Sequence, residues 1–168
     1  MMLFDKAIES GATFSECRAF RYSLFRVWDA ELTRLVCVGL NPSTADERQD
    51  DPTIRRVIGF AKQWAFGGIS MLNLFAYRAT EPTVMLAHSA PIGPENNEAI
   101  RAEISKAGMV LVAWGNSAGN LGVKRALEVL AIVRECKKTP MCLGVTASGQ
   151  PKHPLYIPAD FQPIEYKG

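Results

Sequence analysis

The chain has 168 residues, of which 48% are hydrophobic and 21% charged, values typical of one globular domain that buries a full core. Its 19 basic and 17 acidic residues give a net charge of +2, which excludes a strongly basic nucleic-acid coat but allows a local basic patch. It has no apolar run long enough for a membrane span and no signal-peptide pattern. We therefore expect a single domain over 1–168, no membrane contact and a cytoplasmic location.

Four apolar runs predict the strands of a buried sheet. The first of them, within TRLVCVGL, is continuous rather than alternating, a pattern typical of a parallel strand that is covered on both faces. Residues 20–29, FRYSLFRVWD, alternate weakly and predict a further strand, at an edge. The four core strands are predicted over 35–40, 69–76, 109–114 and 141–146.

Helical patterns separate these strands. Asp51 followed by Pro52 has the pattern of an N-cap and a first helical position, and this helix ends before the Gly67-Gly68 pair. Because strands and helices alternate, right-handed crossovers predict an α/β fold. We expect a three-layer α/β/α arrangement around a four-stranded parallel sheet, in the order 2-1-3-4. The helices are predicted over 52–66, 83–88, 96–107 and 117–135.

Polar or otherwise unusual residues follow each core strand. Because the carboxyl ends of parallel strands lie at one edge of a sheet, we expect these residues to meet in one cleft. They are Gly39, Asn41, Pro42 and Ser43 after the first strand, Asn73 in the second, Gly115, Asn116 and Ser117 after the third, and His153, Pro154 and Leu155 after the fourth.

Each of these residues also has a structural interpretation. Asn41 before a proline fits a turn, Gly115 fits a helix start, and His153 fits an ordinary loop. Asn73 is harder to explain in this way, because an amide in an apolar strand costs about 1–3 kcal/mol to bury without a hydrogen-bond partner. A ligand is one natural partner for it.

The sequence predicts neither a metal nor a cofactor. Asp51, in an acidic cluster over 46–51, is interpreted as a helix cap, because no further ligands lie near it. No G-x-x-x-x-G-K-[ST] phosphate loop is present. The four cysteines form no C-x-x-C pair and are interpreted as buried free thiols: Cys17, Cys37, Cys136 and Cys142.

The sequence resembles a bacterial and phage family, domain-of-unknown-function family 1643, over nearly its whole length. The motifs at the strand ends are also similar to those of the uracil-DNA glycosylase superfamily. GLNPS resembles its Gly-x-Asn-Pro form, and MLNLFAYRATEP its base-reading strand and following loop. WGNSAG resembles a Trp-Gly-x-x-Ala helix start, and KHPLY the late His-Pro motif. The sequence departs from the pattern of this superfamily at two places. It has the extra residues ASGQPK before His153, and Leu155-Tyr156 in place of a Ser-Pro pair.

This resemblance implies a uracil-DNA glycosylase-like fold and a hydrolase that cleaves the N-glycosidic bond of a uracil-like or modified base, in DNA or in a nucleotide. The alternative is a non-catalytic nucleic-acid or nucleotide binding module with the same pocket. It further implies that Asn73 reads the base edge, that His153 donates to the leaving base and that Asn41 holds the attacking water. Ser43 stands where strict uracil enzymes have a tyrosine, so larger 5-substituents are not excluded. Phosphate contacts are expected from Arg78, Lys124, Arg125 and Lys152.

Overall fold

A seven-stranded mixed sheet forms the centre of the protein in the computed structural model, which describes residues 8–116 and 118–168. The strands are β1 (Glu9–Phe14), β2 (Arg21–Val27), β3 (Arg34–Gly39), β4 (Gly68–Asn73), β5 (Met109–Val112), β6 (Pro140–Cys142) and β7 (Ile164–Glu165). Their spatial order is β1-β2-β4-β3-β5-β6-β7. The sheet therefore has seven strands rather than the four that were expected. The four expected strands are β4, β3, β5 and β6, which are neighbours and run parallel to one another.

The three other strands pair antiparallel to their neighbours. The sequence predicted β2 at an edge, but β1 covers it on that side. β1 was missed because its sequence, ESGATF, has no apolar run, and none of its residues is fully buried. β7 consists of two exposed residues and offers no pattern to detect.

Helices cover both faces of the sheet, which explains the continuous apolar run in β3. Leu35 and Cys37 belong to the cluster packed against α1, whereas Val36 and Val38 belong to the cluster on the opposite face. The helices are α1 (Pro52–Gln63), α2 (Pro82–Ala87), α3 (Asn96–Ser105) and α4 (Gly119–Glu135). Within the described residues, no helix is both long and apolar enough to cross a membrane.

The start of α1 follows the sequence prediction. Asp51 accepts a hydrogen bond from the Ile54 backbone N–H at 2.9 Å, and Pro52 is the first helical residue. The helix ends at Gln63 rather than at 66, because Ala65 adopts a left-handed conformation with φ of 63°. The cap places the N-terminus of α1 beside the carboxyl end of the sheet.

Arg125 lies inside the protein, so its predicted phosphate contact is wrong. Its side chain is only 1% exposed. Nε donates to the Leu74 carbonyl at 2.8 Å, and Nη2 donates to Asn97 Oδ1 at 2.7 Å. Nη1 pairs with Glu128 at 3.0 Å. Arg125 therefore ties α4 to the segment that follows β4.

Replacing Arg125 by methionine is expected to lower the free energy of unfolding by about 1–3 kcal/mol, because the Leu74 carbonyl would lose one of its two buried donors and the bonds to Asn97 and Glu128 would be lost as well. Urea denaturation followed by circular dichroism measures this change. Lys124→Met is the matched control, since Lys124 is an exposed neighbour on α4 and should shift stability by no more than about 0.5 kcal/mol. Equal stabilities of the two variants would contradict the structural role of Arg125.

Candidate functional site

A cleft of about 700 Å³ opens at the carboxyl ends of the parallel strands. Four segments that follow these strands line it, together with Arg21 of β2 and the start of α1. Ten of the eleven predicted site residues lie on its wall, whereas Ser117 lies outside the described residues. The ten are Gly39, Asn41, Pro42, Ser43, Asn73, Gly115, Asn116, His153, Pro154 and Leu155.

Asn73 lines this cleft and carries an unpaired amide donor. It is the last residue of β4, and its side chain is 4% exposed. Its Nδ2 is buried and has no hydrogen-bond partner among the described residues. An unsatisfied buried donor costs about 1–3 kcal/mol, and an acceptor atom on a ligand would recover that free energy. Its backbone carbonyl is already paired, with Asn96 Nδ2 at 3.1 Å.

Gly39 leaves the space that this amide occupies. Gly39 and Asn73 are register partners in the β3–β4 pair. A Cβ atom at position 39 would lie 3.0 Å from Asn73 Oδ1, closer than most real Cβ contacts. Any larger residue would therefore press on the amide and turn it away from its present orientation.

Asn41 is held by its NH₂ group. Nδ2 donates to the Ala79 carbonyl at 2.8 Å and to the Pro42 carbonyl at 3.2 Å. Oδ1 accepts no hydrogen bond from the described residues. The fixed amide can therefore offer a carbonyl oxygen to a water molecule or a ligand, but it cannot take up a proton at neutral pH.

The Asn41→Asp variant is expected to lose stability as the pH rises. The oxygen that replaces Nδ2 would face two carbonyl oxygens, so the pKa of the new carboxyl should lie above the ordinary value of about 3.9. Its protonated form can still donate to Ala79, so stability is retained at low pH. It should fall by about 1–3 kcal/mol as the carboxyl ionises.

Thermal unfolding of parent and variant between pH 4 and pH 8 measures this effect. Asn116→Asp is the matched control. Asn116 uses only Oδ1, which accepts from the hydroxyls of Thr146 at 2.9 Å and Ser148 at 2.8 Å, so an aspartate keeps both bonds. If Asn41→Asp is as stable as the parent at pH 8, the amide is not held as described.

His153 carries a hydrogen-bond donor on Nε2 when it is neutral. Its Nδ1 accepts from the Leu155 backbone N–H at 3.2 Å, which places the proton of the neutral ring on the other nitrogen. Burial lowers the pKa of His153, and the nearby charge of Asp51 opposes this effect. The imidazole is therefore neutral at physiological pH and can donate from Nε2.

The inserted residues ASGQPK fold into a turn that is fastened to the end of β5. The Thr146 N–H donates to the Gln150 carbonyl at 2.8 Å, and Trp114 Nε1 donates to Gln150 Oε1 at 2.9 Å. Gly115, in a left-handed conformation with φ of 69°, donates its N–H to the Pro151 carbonyl at 2.8 Å. The turn thus brings His153 beside Gly115 in spite of the insertion.

The structure places the other basic residues that were expected to contact phosphates in different positions. Lys152 lines the cleft. Arg78 lies with Arg18 in a shallower groove that shares Ser43, Ala79 and Thr80 with the cleft. Lys124 lines neither.

Sequence reasoning missed Arg21, which also lines the cleft. This residue precedes the alternating part of β2 and is 2% exposed. An arginine at the start of a half-polar strand normally points into solvent, so the sequence carries no signal of its burial.

The cleft is lined by amides and an imidazole and also by three charged side chains, those of Arg21, Asp51 and Lys152. No group of three or more His, Cys, Asp or Glu side chains that could hold a metal occurs within 8–116 and 118–168. Cys37 and Cys142 are buried free thiols, whereas Cys17 is exposed and Cys136 is partly buried, so the interpretation of all four as buried is wrong. The polar side chains of the cleft can form hydrogen bonds to a polar, planar ligand.

Fold and site together define an α/β protein with a polar cleft at the carboxyl ends of its parallel strands. Residues 21–155 match the family model described as "Protein of unknown function (DUF1643)". The match covers most of the chain, which therefore belongs to this family. Comparison with curated proteins finds no match, and comparison with solved structures finds none.

Proposed function

We propose that the protein is a hydrolase with a uracil-DNA glycosylase-like fold, and that it cleaves the N-glycosidic bond of a uracil-like or modified base bound in the cleft. The buried and unpaired amide of Asn73 is the observation that carries this proposal. The motifs around Gly39, Asn73 and His153, which are similar to those of the uracil-DNA glycosylase superfamily, support it.

The amide of Asn73 matches the edge of uracil. Oδ1 can accept from N3–H while Nδ2 donates to O4. Cytosine presents the opposite polarity at both atoms, so the same amide would disfavour it. A base in a duplex would have to be extruded to reach a residue that is 4% exposed.

Bond cleavage leaves negative charge on the departing base. His153 can stabilise that charge by donating from Nε2, because its Nδ1 is already an acceptor for Leu155. The sugar becomes cationic at the same time and is attacked by water, whose released proton neutralises the departing base anion. Asn41 can position this water through Oδ1, since its NH₂ group is held by Ala79. Because an amide is not a general base, we expect a modest rate.

Ser43 widens the range of bases. It lies on the cleft wall and is partly exposed. A serine there leaves room for a substituent at the 5-position, so thymine and larger modified pyrimidines are candidate substrates.

A base-release screen tests the proposal. Purified protein is incubated with oligonucleotides that carry uracil, a thymine mismatch or a 5-modified pyrimidine, and with the corresponding free nucleotides. Free base is measured by chromatography. Release that is abolished in Asn73→Leu supports the proposal. Saturable binding without release would instead identify a binding module, and no binding would overturn both assignments.

A further inference from the structure

Arg21 differs from the other buried arginines in having free donors. Among the described residues three arginines are buried: Arg21, Arg26 and Arg125. Every side-chain nitrogen of Arg26 and of Arg125 donates a hydrogen bond. Arg21 donates only from Nη1, to the Ala45 carbonyl at 3.1 Å.

The free donors of Arg21 lie on one edge of its guanidinium group. Nε is buried without a partner, and Nη2 makes no hydrogen bond with any described residue. The Nε–Nη2 edge is one that binds two oxygens of a carboxylate or phosphate in parallel. Arg21, which lines the cleft, therefore carries a fork of donors that no described residue occupies.

The charge of Arg21 is also unbalanced. Burial lowers its pKa to about 10, so it is still protonated at neutral pH. Asp51 attracts it, whereas Arg78 and Arg26 repel it. Arg21 forms no ion pair with any residue in the described part of the chain, and Asp51 caps α1 instead. A buried cation without an anionic partner is costly, and an anion on a ligand would reduce that cost.

On the basis of the proposed function, we propose that Arg21 binds the terminal phosphate of a free nucleoside monophosphate, and that such a nucleotide rather than DNA is the substrate. Arg21 is 2% exposed and lies on the same cleft wall as Asn73. A terminal phosphate is the last group of its ligand, so the cleft can enclose it. A phosphodiester links two nucleotides, so the strand would have to leave the cleft on both sides of the phosphate. The cleft volume of about 700 Å³ is in the range of small-ligand pockets.

Binding of deoxyuridine monophosphate and of deoxyuridine, measured by isothermal titration calorimetry, tests this assignment. The parent should bind the nucleotide about 10- to 100-fold more tightly than the nucleoside, the effect of charge-assisted hydrogen bonds. Arg21→Lys keeps a positive charge but loses the fork, and it should lose most of this preference. Equal affinities of the parent for the two ligands would overturn the proposal, even if no Arg21 variant folds.

Arg26→Lys is the matched control. Arg26 is a neighbouring buried arginine on β2 that lies outside the cleft lining, so its replacement should reduce stability but keep the preference for the nucleotide. Loss of the preference in both variants would overturn the binding role of Arg21. A uracil oligonucleotide that binds as tightly as the nucleotide would overturn the choice of a free nucleotide.

Inorganic phosphate separates this proposal from the hydrolase proposal. A rise in Tm with phosphate that is lost in Arg21→Lys supports the anion site even where deoxyuridine does not bind, a result that would contradict base reading by Asn73. Base release from deoxyuridine without any effect of phosphate or of Arg21→Lys would overturn the anion site and leave the hydrolase proposal standing.

Discussion

Replacement of His153 by asparagine is expected to lower kcat for base release by about 10²–10³-fold, the usual cost of removing one donor to a developing anion. Asparagine can still accept from the Leu155 N–H, because short polar side chains cap such turns well. The variant therefore keeps the turn and loses the donor on the other side of the ring, Nε2–H. KM should change little, since this donor acts mainly in the transition state.

His88→Asn is the matched control for this variant. Nδ1 of His88 accepts from the Ala90 N–H at 3.0 Å, the same local geometry as in His153. Its ring stacks on Tyr77, with 4.1 Å between the ring centroids, and it does not line the cleft. Single-turnover kinetics on both variants make the comparison. A similar loss of rate in both would show that His153 has a structural role.

The parent's pH profile checks the same assignment. Because burial lowers the pKa of His153, the ring stays neutral below its ordinary value of 6.5. Protonation at lower pH would put a hydrogen on Nδ1 and break the bond from Leu155. We therefore expect the rate to hold at pH 6.5 and to fall in more acidic solution.

Replacement of Asn73 by aspartate is expected to lower kcat/KM on uracil by about 100-fold or more, because one hydrogen bond is lost and a buried acceptor then faces O4. The unpaired Nδ2 leaves this position without any protein partner to compensate. In its protonated form the aspartate can donate to N3 of cytosine and accept from its N4 amine. Selectivity should therefore shift towards cytosine.

Base release from uracil and cytosine substrates by the parent, by Asn73→Asp and by a control variant measures this shift. Asn96→Asp is the matched control, since Asn96 is a buried amide that donates to the Asn73 and Leu74 carbonyls from outside the cleft. It should lose stability and keep the preference for uracil. An unchanged preference in Asn73→Asp would show that another group reads the base.

Local patterns in the sequence were sufficient for the centre of the fold. Residues 35–38 of β3 are all apolar because helices cover both faces of the sheet there, and this double burial can be inferred from the sequence. The Asp51-Pro52 pair specified the start of α1, since capping depends only on neighbouring residues. The predicted strands extend beyond the observed strand ends. At β4 the reason is that Leu74, Phe75 and Ala76 remain buried after the strand has ended.

The placement of most candidate site residues at one sheet edge could be inferred, because parallel strands bring their carboxyl ends together. What those residues do there depended on contacts between distant segments. Asn41 and Ala79, Arg125 and Leu74, and Asn116 and Thr146 are each about 30 or more positions apart. Arg21 shows this most clearly, since its burial and its free donors result from packing against a loop 24 residues away. Sequence patterns were enough to identify the parallel strands whose ends form the cleft. Which polar groups remain unpaired in it depends on the folded structure, because hydrogen bonds between distant segments leave no local pattern.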